Sequence, residues 1–133
     1  LFDESKYDEF VKNLETKYPA MFSQPYGGVC VGEGWWPIIE SLCANIQVHL
    51  NWVNRNGVVV EQVVVMQIKE KFGGLRFYYE GGDDTVNGLV TMAESWAIRS
   101  CEECGTPGKS RSGGWIRTLC DKHEAERQAR MKN

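Results

Sequence analysis

Apolar residues recur at helical spacing in three stretches of this chain. Tyr7, Phe10, Val11, Leu14 and Tyr18 fall three and four apart, which predicts a helix over 5–18 with Ser5 as N-cap and Pro19 closing it. Residues 32–37 introduce a second helix, with Pro37 suited to its first turn. Ile38, Ile39, Leu42, Cys43, Ile46 and Leu50 make its apolar face, and Asn54-Arg55-Asn56-Gly57 ends it. Val86, Leu89, Val90, Ala93, Trp96 and Ala97 predict a third helix running through Ser100. Between the last two, β-branched runs and polar–apolar alternation over 58–79 predict strands. Gly73-Gly74 is the expected turn or bulge of an antiparallel hairpin. Asp83 and Asp84 sit where a helix begins. Capping, favoured by the positive end of the helix dipole, is their simpler role beside cation binding or acid–base work.

Chemistry enters near the end of the chain. Cys101-x-x-Cys104 is followed after fifteen residues by Cys120-x-x-His123. Thiolate sulfur and imidazole nitrogen are preferred zinc ligands, and four of them complete a tetrahedron. Gly105, Pro107 and Gly108 let the chain turn away sharply from the first pair. The second pair opens a further helical stretch, charged on nearly every side and so expected to be solvated. Knuckle, hairpin, then ligands at a helix start is a layout that resembles treble-clef zinc fingers. The expected fold is therefore α+β: helices packed on a small antiparallel hairpin or sheet, capped by a treble-clef-like finger holding one structural zinc. The expected division is a body over 1–98 and a finger over 99–133, joined without a flexible linker and so packed together. A finger of this size holds few large apolar groups, and metal binding would supply its missing stability.

Other residues carry weaker signals. Trp35-Trp36 is read as one ring in the core and one covering it, with an exposed platform as the alternative. His49 has no second ligand at matching spacing and is expected to be solvated or satisfied. Lys69, Lys71 and Arg76 would line the hairpin beside Phe77 and Tyr79; an ordinary half-buried sheet is the simpler reading, a single-strand platform the other. In the finger, Lys109, Arg111, Arg117 and Lys122 are basic and Trp115 is aromatic. Either this loop contacts nucleic acid, or it is solvated with Trp115 covering the metal. Arg76, Lys109, Arg111, Trp115 and Arg117 are the candidate contact residues.

Charge narrows the choice. Residues 1–98 carry 7 Lys and Arg against 13 Asp and Glu, while 99–133 carry 8 against 5. An acidic body with a basic finger argues against a protein that coats nucleic acid with its whole surface, and leaves room for local contact. The finger uses three of the five cysteines. Cys30 and Cys43 are left, enough for one disulfide, but zinc thiolates and no signal peptide point to a reducing cytosol with both as free or buried thiols. The chain begins at Leu1, which leaves room for residues ahead of it. No apolar run is long enough to span a membrane. No catalytic set stands out: four good ligands leave a zinc no vacancy, and His123-Glu124-Ala125 follows the cysteines, the reverse of the zinc-deaminase order.

The run QIKEKFGGLRFYYEGGDD, a short helix, and then CEECGTPGKSRSGGWIRTLCDKH resemble a family of small proteins found in tailed phages and prophages. Gly34-Trp35 and the helix that follows are similar too, so the resemblance covers roughly 18–123. It implies a phage accessory protein acting in the cytoplasm of the bacterial host, and it brings no catalytic residue with it. The expected function is non-enzymatic binding of a host or phage protein, with inhibition of a host-defence protein as the form that setting suggests. A nucleic-acid-binding module working through the basic finger is the alternative.

Overall fold

The computed structural model describes residues 2–132. Four helices and two small sheets make an α+β fold. Helix α1 spans Glu4–Lys17 and α2 spans Trp36–Arg55, entered through a 3-10 turn at Glu33–Trp35. The first sheet has β1 (Val29–Cys30), β2 (Val64–Lys71) and β3 (Gly74–Glu80) in that order. β1 runs parallel to β2, and β2 pairs antiparallel with β3. Helix α3 covers Asp84–Ala97. The second sheet is a hairpin of β4 (Lys109–Arg111) and β5 (Arg117–Leu119), followed by α4 (Asp121–Met131).

The core forms where the apolar faces meet. Ile39, Ile46 and Leu50 of α2, Val86 and Ala97 of α3, and Val65, Ile68 and Leu75 of the sheet are all buried. Leu14 is the buried residue of α1, and Tyr7, Phe10, Val11 and Tyr18 pack partly buried around it. Ile38 is only half-buried at the margin of the α2 face. Trp35 and Trp36 are both buried, and Trp36 stacks on Phe10 with ring centroids 4.8 Å apart. The aromatic pair is therefore core, with no exposed platform. Cys43 lies fully buried and Cys30 is exposed, and neither is in a disulfide.

Local chemistry moves several expected features. Asp3, not Ser5, caps α1, because its carboxylate accepts the Lys6 N–H at 3.1 Å and lets the helix start at Glu4. Val58, Val59 and Val60 form no strand: β1 and β3 already flank β2, and Asn54 holds the backbone of Val60 from both sides. The hairpin turn is Phe72-Gly73, both with positive φ, and Gly74 is already the first residue of β3. Trp96 stays 59 % exposed despite its helical spacing. Asp83 caps α3 as expected, taking the Val86 N–H at 3.1 Å, and its other oxygen meets His49 Nε2 at 2.8 Å. His49 is thus satisfied, and it ties the late part of α2 to the start of α3.

Strand register separates residues expected side by side. Lys69 pairs with Arg76 and Ile68 with Phe77. Alternation then puts Lys69, Lys71, Arg76 and Tyr78 on the outer face, and Phe77 with Tyr79 on the inner one. The basic residues do not lie beside Phe77 and Tyr79.

Candidate metal centre

The first ligand pair sits on a tight knuckle. Cys101 N–H donates to Thr106 O at 2.7 Å, and Gly105 N–H returns to Cys101 O at 2.8 Å. With φ of 81°, Gly105 occupies the left-handed region the chain needs to turn away. β4 and β5 then carry the chain back to Cys120, which is the N-cap of α4: its sulfur accepts the His123 N–H at 3.4 Å. One turn of helix brings His123 round onto the same point. The expected solvated helix has one exception, since Arg127 is buried and donates to Trp115 O at 2.7 Å and Ser112 O at 3.0 Å.

Cys101, Cys104, Cys120 and His123 converge, with every ligand atom within 4.8 Å of the others. Cys101 Sγ lies 3.5 Å from His123 Nδ1, Cys104 Sγ lies 3.8 Å from Cys120 Sγ, and Cys120 Sγ lies 3.2 Å from His123 Nδ1. The four residues can hold one metal ion. Their environments differ. Burial pushes the Cys101 thiol up. The His123 backbone N–H at the helix start pulls Cys120 down to about 6. Burial is the strongest influence on Cys104 and opposes its ionisation, but hydrogen bonds from the Thr106 hydroxyl 3.0 Å away, the Thr106 backbone and Cys101 together hold that thiol below its ordinary range. Burial likewise works against the His123 imidazolium, yet hydrogen bonds to Cys120 and Cys104 raise it.

The knuckle leans directly on the body. Gly34 N–H donates to Glu102 O at 2.8 Å, Gly32 N–H to Glu102 Oε2 at 2.9 Å, and Trp35 Nε1 to Ser100 O at 2.8 Å. A Cβ on Gly34 would stand 2.1 Å from Cys101 O and 2.7 Å from Cys104 N. On the far side, Thr118 donates its hydroxyl to Gly73 O at 2.6 Å. Gly34 and Arg127 support the site without touching the ligand atoms. No sequence spacing marks either: a glycine in a Gly-rich entry and an arginine in a charged helix look ordinary.

The candidate contact residues do not form one basic patch. Arg111 is paired with Asp121 at 2.7 Å and with Leu119 O at 3.1 Å. Arg117 pairs with Glu102 and Glu103, at 3.4 and 3.5 Å. Lys109 is exposed, and Arg76 lies on the body hairpin opposite Lys69. Trp115 is 75 % exposed, so it does not cover the ligand cluster. Among the described residues no helix is long and apolar enough to cross a membrane. No family model, no curated protein and no solved structure matches this chain.

Proposed function

We propose that this chain is a non-catalytic binding protein of phage origin, stapled by one structural zinc, that acts by gripping a protein of the bacterial host. The phage setting rests on the resemblance of 67–84 and 101–123 to small phage and prophage proteins. Zinc is supported by the donor set and its size. A tetrahedron with Zn–S near 2.3 Å and Zn–N near 2.05 Å has edges of about 3.8 Å between sulfurs and about 3.5 Å from sulfur to nitrogen. The separations of 3.8 Å for Cys104–Cys120 and 3.5 Å for Cys101–His123 match those edges, Cys120–His123 is shorter at 3.2 Å, and all four ligand atoms lie within 4.8 Å of one another. Three cysteines and one histidine would fill the shell, leaving no position for water or substrate, which is the pattern of a structural ion.

The observation that carries the binding role is a groove of about 410 Å³ between α2 and α3. Pro37, Ile38, Leu89, Met92 and Trp96 line it, and no charged residue does. Met92 is 68 % exposed and Trp96 59 %. A quarter of this chain is charged, so an uncharged aromatic and methionine surface is the feature an interface anchor requires. A host protein with an apolar ridge is the partner such a groove fits.

The test is affinity capture from bacterial lysate with the zinc-loaded protein, with and without nuclease, beside Trp96→Asp. One host protein that survives nuclease and is lost with Trp96→Asp supports the reading. A captured set that vanishes with nuclease, or that Trp96→Asp retains in full, overturns it.

A further inference from the structure

A phenylalanine stands where a two-residue hairpin turn favours asparagine, aspartate or glycine. Phe72 has φ of 53°, a conformation strained for a bulky side chain and relaxed in an Asn-Gly turn. Burial does not offset that strain, because Phe72 is 73 % exposed. Local strain held at an exposed aromatic is a pointer to contact with something else.

Across a cleft of about 390 Å³ from Phe72 stands Trp115. It too gives the core almost nothing, being 75 % exposed. Yet its backbone is fixed, since buried Arg127 holds the carbonyls of both Ser112 and Trp115. Two hairpin tips, one from each sheet, thus present open aromatic rings to one cleft.

The charge around it is positive. Lys69 and Lys71 line the cleft, and Lys71 Nζ lies 5.7 Å from the centre of the Phe72 ring. Glu70 is the one carboxylate on the lining, and an oxygen of it accepts the Gly73 N–H at 2.6 Å. Arg76 continues the row opposite Lys69, with Tyr78 on the same face. Lys69, Lys71 and Arg76 form no ion pair with the described residues.

We propose that this cleft binds single-stranded nucleic acid, with an unpaired base against Phe72 and Trp115 and phosphates along Lys69, Lys71 and Arg76. Exposed rings beside cations that no carboxylate neutralises are what a single strand uses, and a duplex hides the faces they would stack on. Among the described residues Arg76 donates only to Leu75 O, at 3.3 Å. β2, flanked on both sides, has no free edge for an added peptide strand, and the edge of β3 is already partly engaged, its outward Phe77 N–H taken by Glu94 at 2.9 Å. The lining offers no amide side chain to read base edges, so the site tolerates any sequence. This surface is separate from the α2–α3 groove, and its test is independent of that reading.

The experiment is fluorescence anisotropy of labelled oligothymidylate and oligouridylate, each of about ten nucleotides, with the full zinc-loaded chain. Binding should weaken roughly ten- to twentyfold between about 50 and 200 mM salt, the loss for three neutralised phosphates on a single strand. Trp115→Ala should lower affinity about tenfold. Phe72→Asn should lower it similarly while leaving the melting temperature unchanged or higher, since asparagine suits the turn. Absence of binding at the lower salt overturns the proposal. So does affinity that survives both substitutions, or an equal affinity for duplex or for polyglutamate.

Discussion

The indole nitrogen of Trp35 donates to the carbonyl oxygen of Ser100 at 2.8 Å, one residue before the first ligand of the metal centre. The ring itself is fully buried in the body core. One side chain therefore fixes both the packing of α2 and the height at which Cys101 stands. Trp35→Phe keeps most of the apolar volume but strips the carbonyl of its donor. A buried acceptor left unpaired costs about 1–3 kcal/mol. The expected result is a lower melting temperature together with weaker zinc retention under a chelator. Loss of stability with unchanged metal retention would show that the two are not linked through this bond.

Gly34 tests the same contact sterically. Its φ is not in the left-handed region, so alanine is conformationally acceptable, but the added carbon would meet Cys101 O at 2.1 Å. Gly34→Ala should cost about 2–3 kcal/mol through overpacking against the knuckle. Urea unfolding at neutral pH measures it. Gly88→Ala, with nothing near its added carbon and a helical position, should be neutral or stabilising by up to about 1 kcal/mol.

Thiol reactivity separates the five cysteines. Cys43 is buried and its thiol is pushed up to about 12, first by burial and then by Glu40. Cys30 is exposed. In zinc-loaded protein Cys30 alone should alkylate rapidly at neutral pH. Chelation should expose Cys104 and Cys120 next, with Cys43 protected until the body unfolds. Mass spectrometry of timed samples reads this order directly. Fast labelling of Cys104 before chelation would count against a metal-filled site.

The His49–Asp83 contact carries a pH signature. A hydrogen bond from His49, reinforced by the Val86 N–H, holds the Asp83 carboxyl below its ordinary range. A depressed carboxyl contributes stability that is fully present above its unfolded value, about 4, and is lost as pH falls through the lower folded value. His49→Gln should therefore be less stable than the parent at pH 6, with the gap closing progressively below about pH 4. Unfolding curves across that range decide it. A gap that stays constant into strong acid would mean that His49 acts by packing alone.

Arg127 holds the loop that presents Trp115. Arg127→Met keeps the length of the buried stem and removes donors to Trp115 O and Ser112 O. Hydrogen exchange over 112–116 should accelerate strongly while exchange in α2 and β2 stays unchanged. Uniform acceleration would show that the substitution loosens the whole fold.

Short-range pattern carried much of this protein into view. The ligand set was legible because a knuckle and a helix start each fix two ligands within four residues, so spacing alone specifies geometry. The helices and the Asp83 cap were legible for the same reason, since a 3.6-residue period and a capping carboxylate are local properties. The shorter misreadings were also local competitions, such as Asp3 capping before Ser5 and Phe72-Gly73 turning before Gly73-Gly74. What only the tertiary structure decided depends on partners far along the chain. Gly34 meets Cys101, Thr118 meets Gly73, and Arg111 and Arg117 are spent on carboxylates inside the finger. Lys69 and Arg76 face away from Phe77 because register, not sequence order, assigns the faces of a sheet. The placing of Phe72 and Trp115, 43 positions apart, on one cleft likewise required the tips of two hairpins to come side by side. Sequence sets what each side chain can do; long-range packing sets which of them are free to do it.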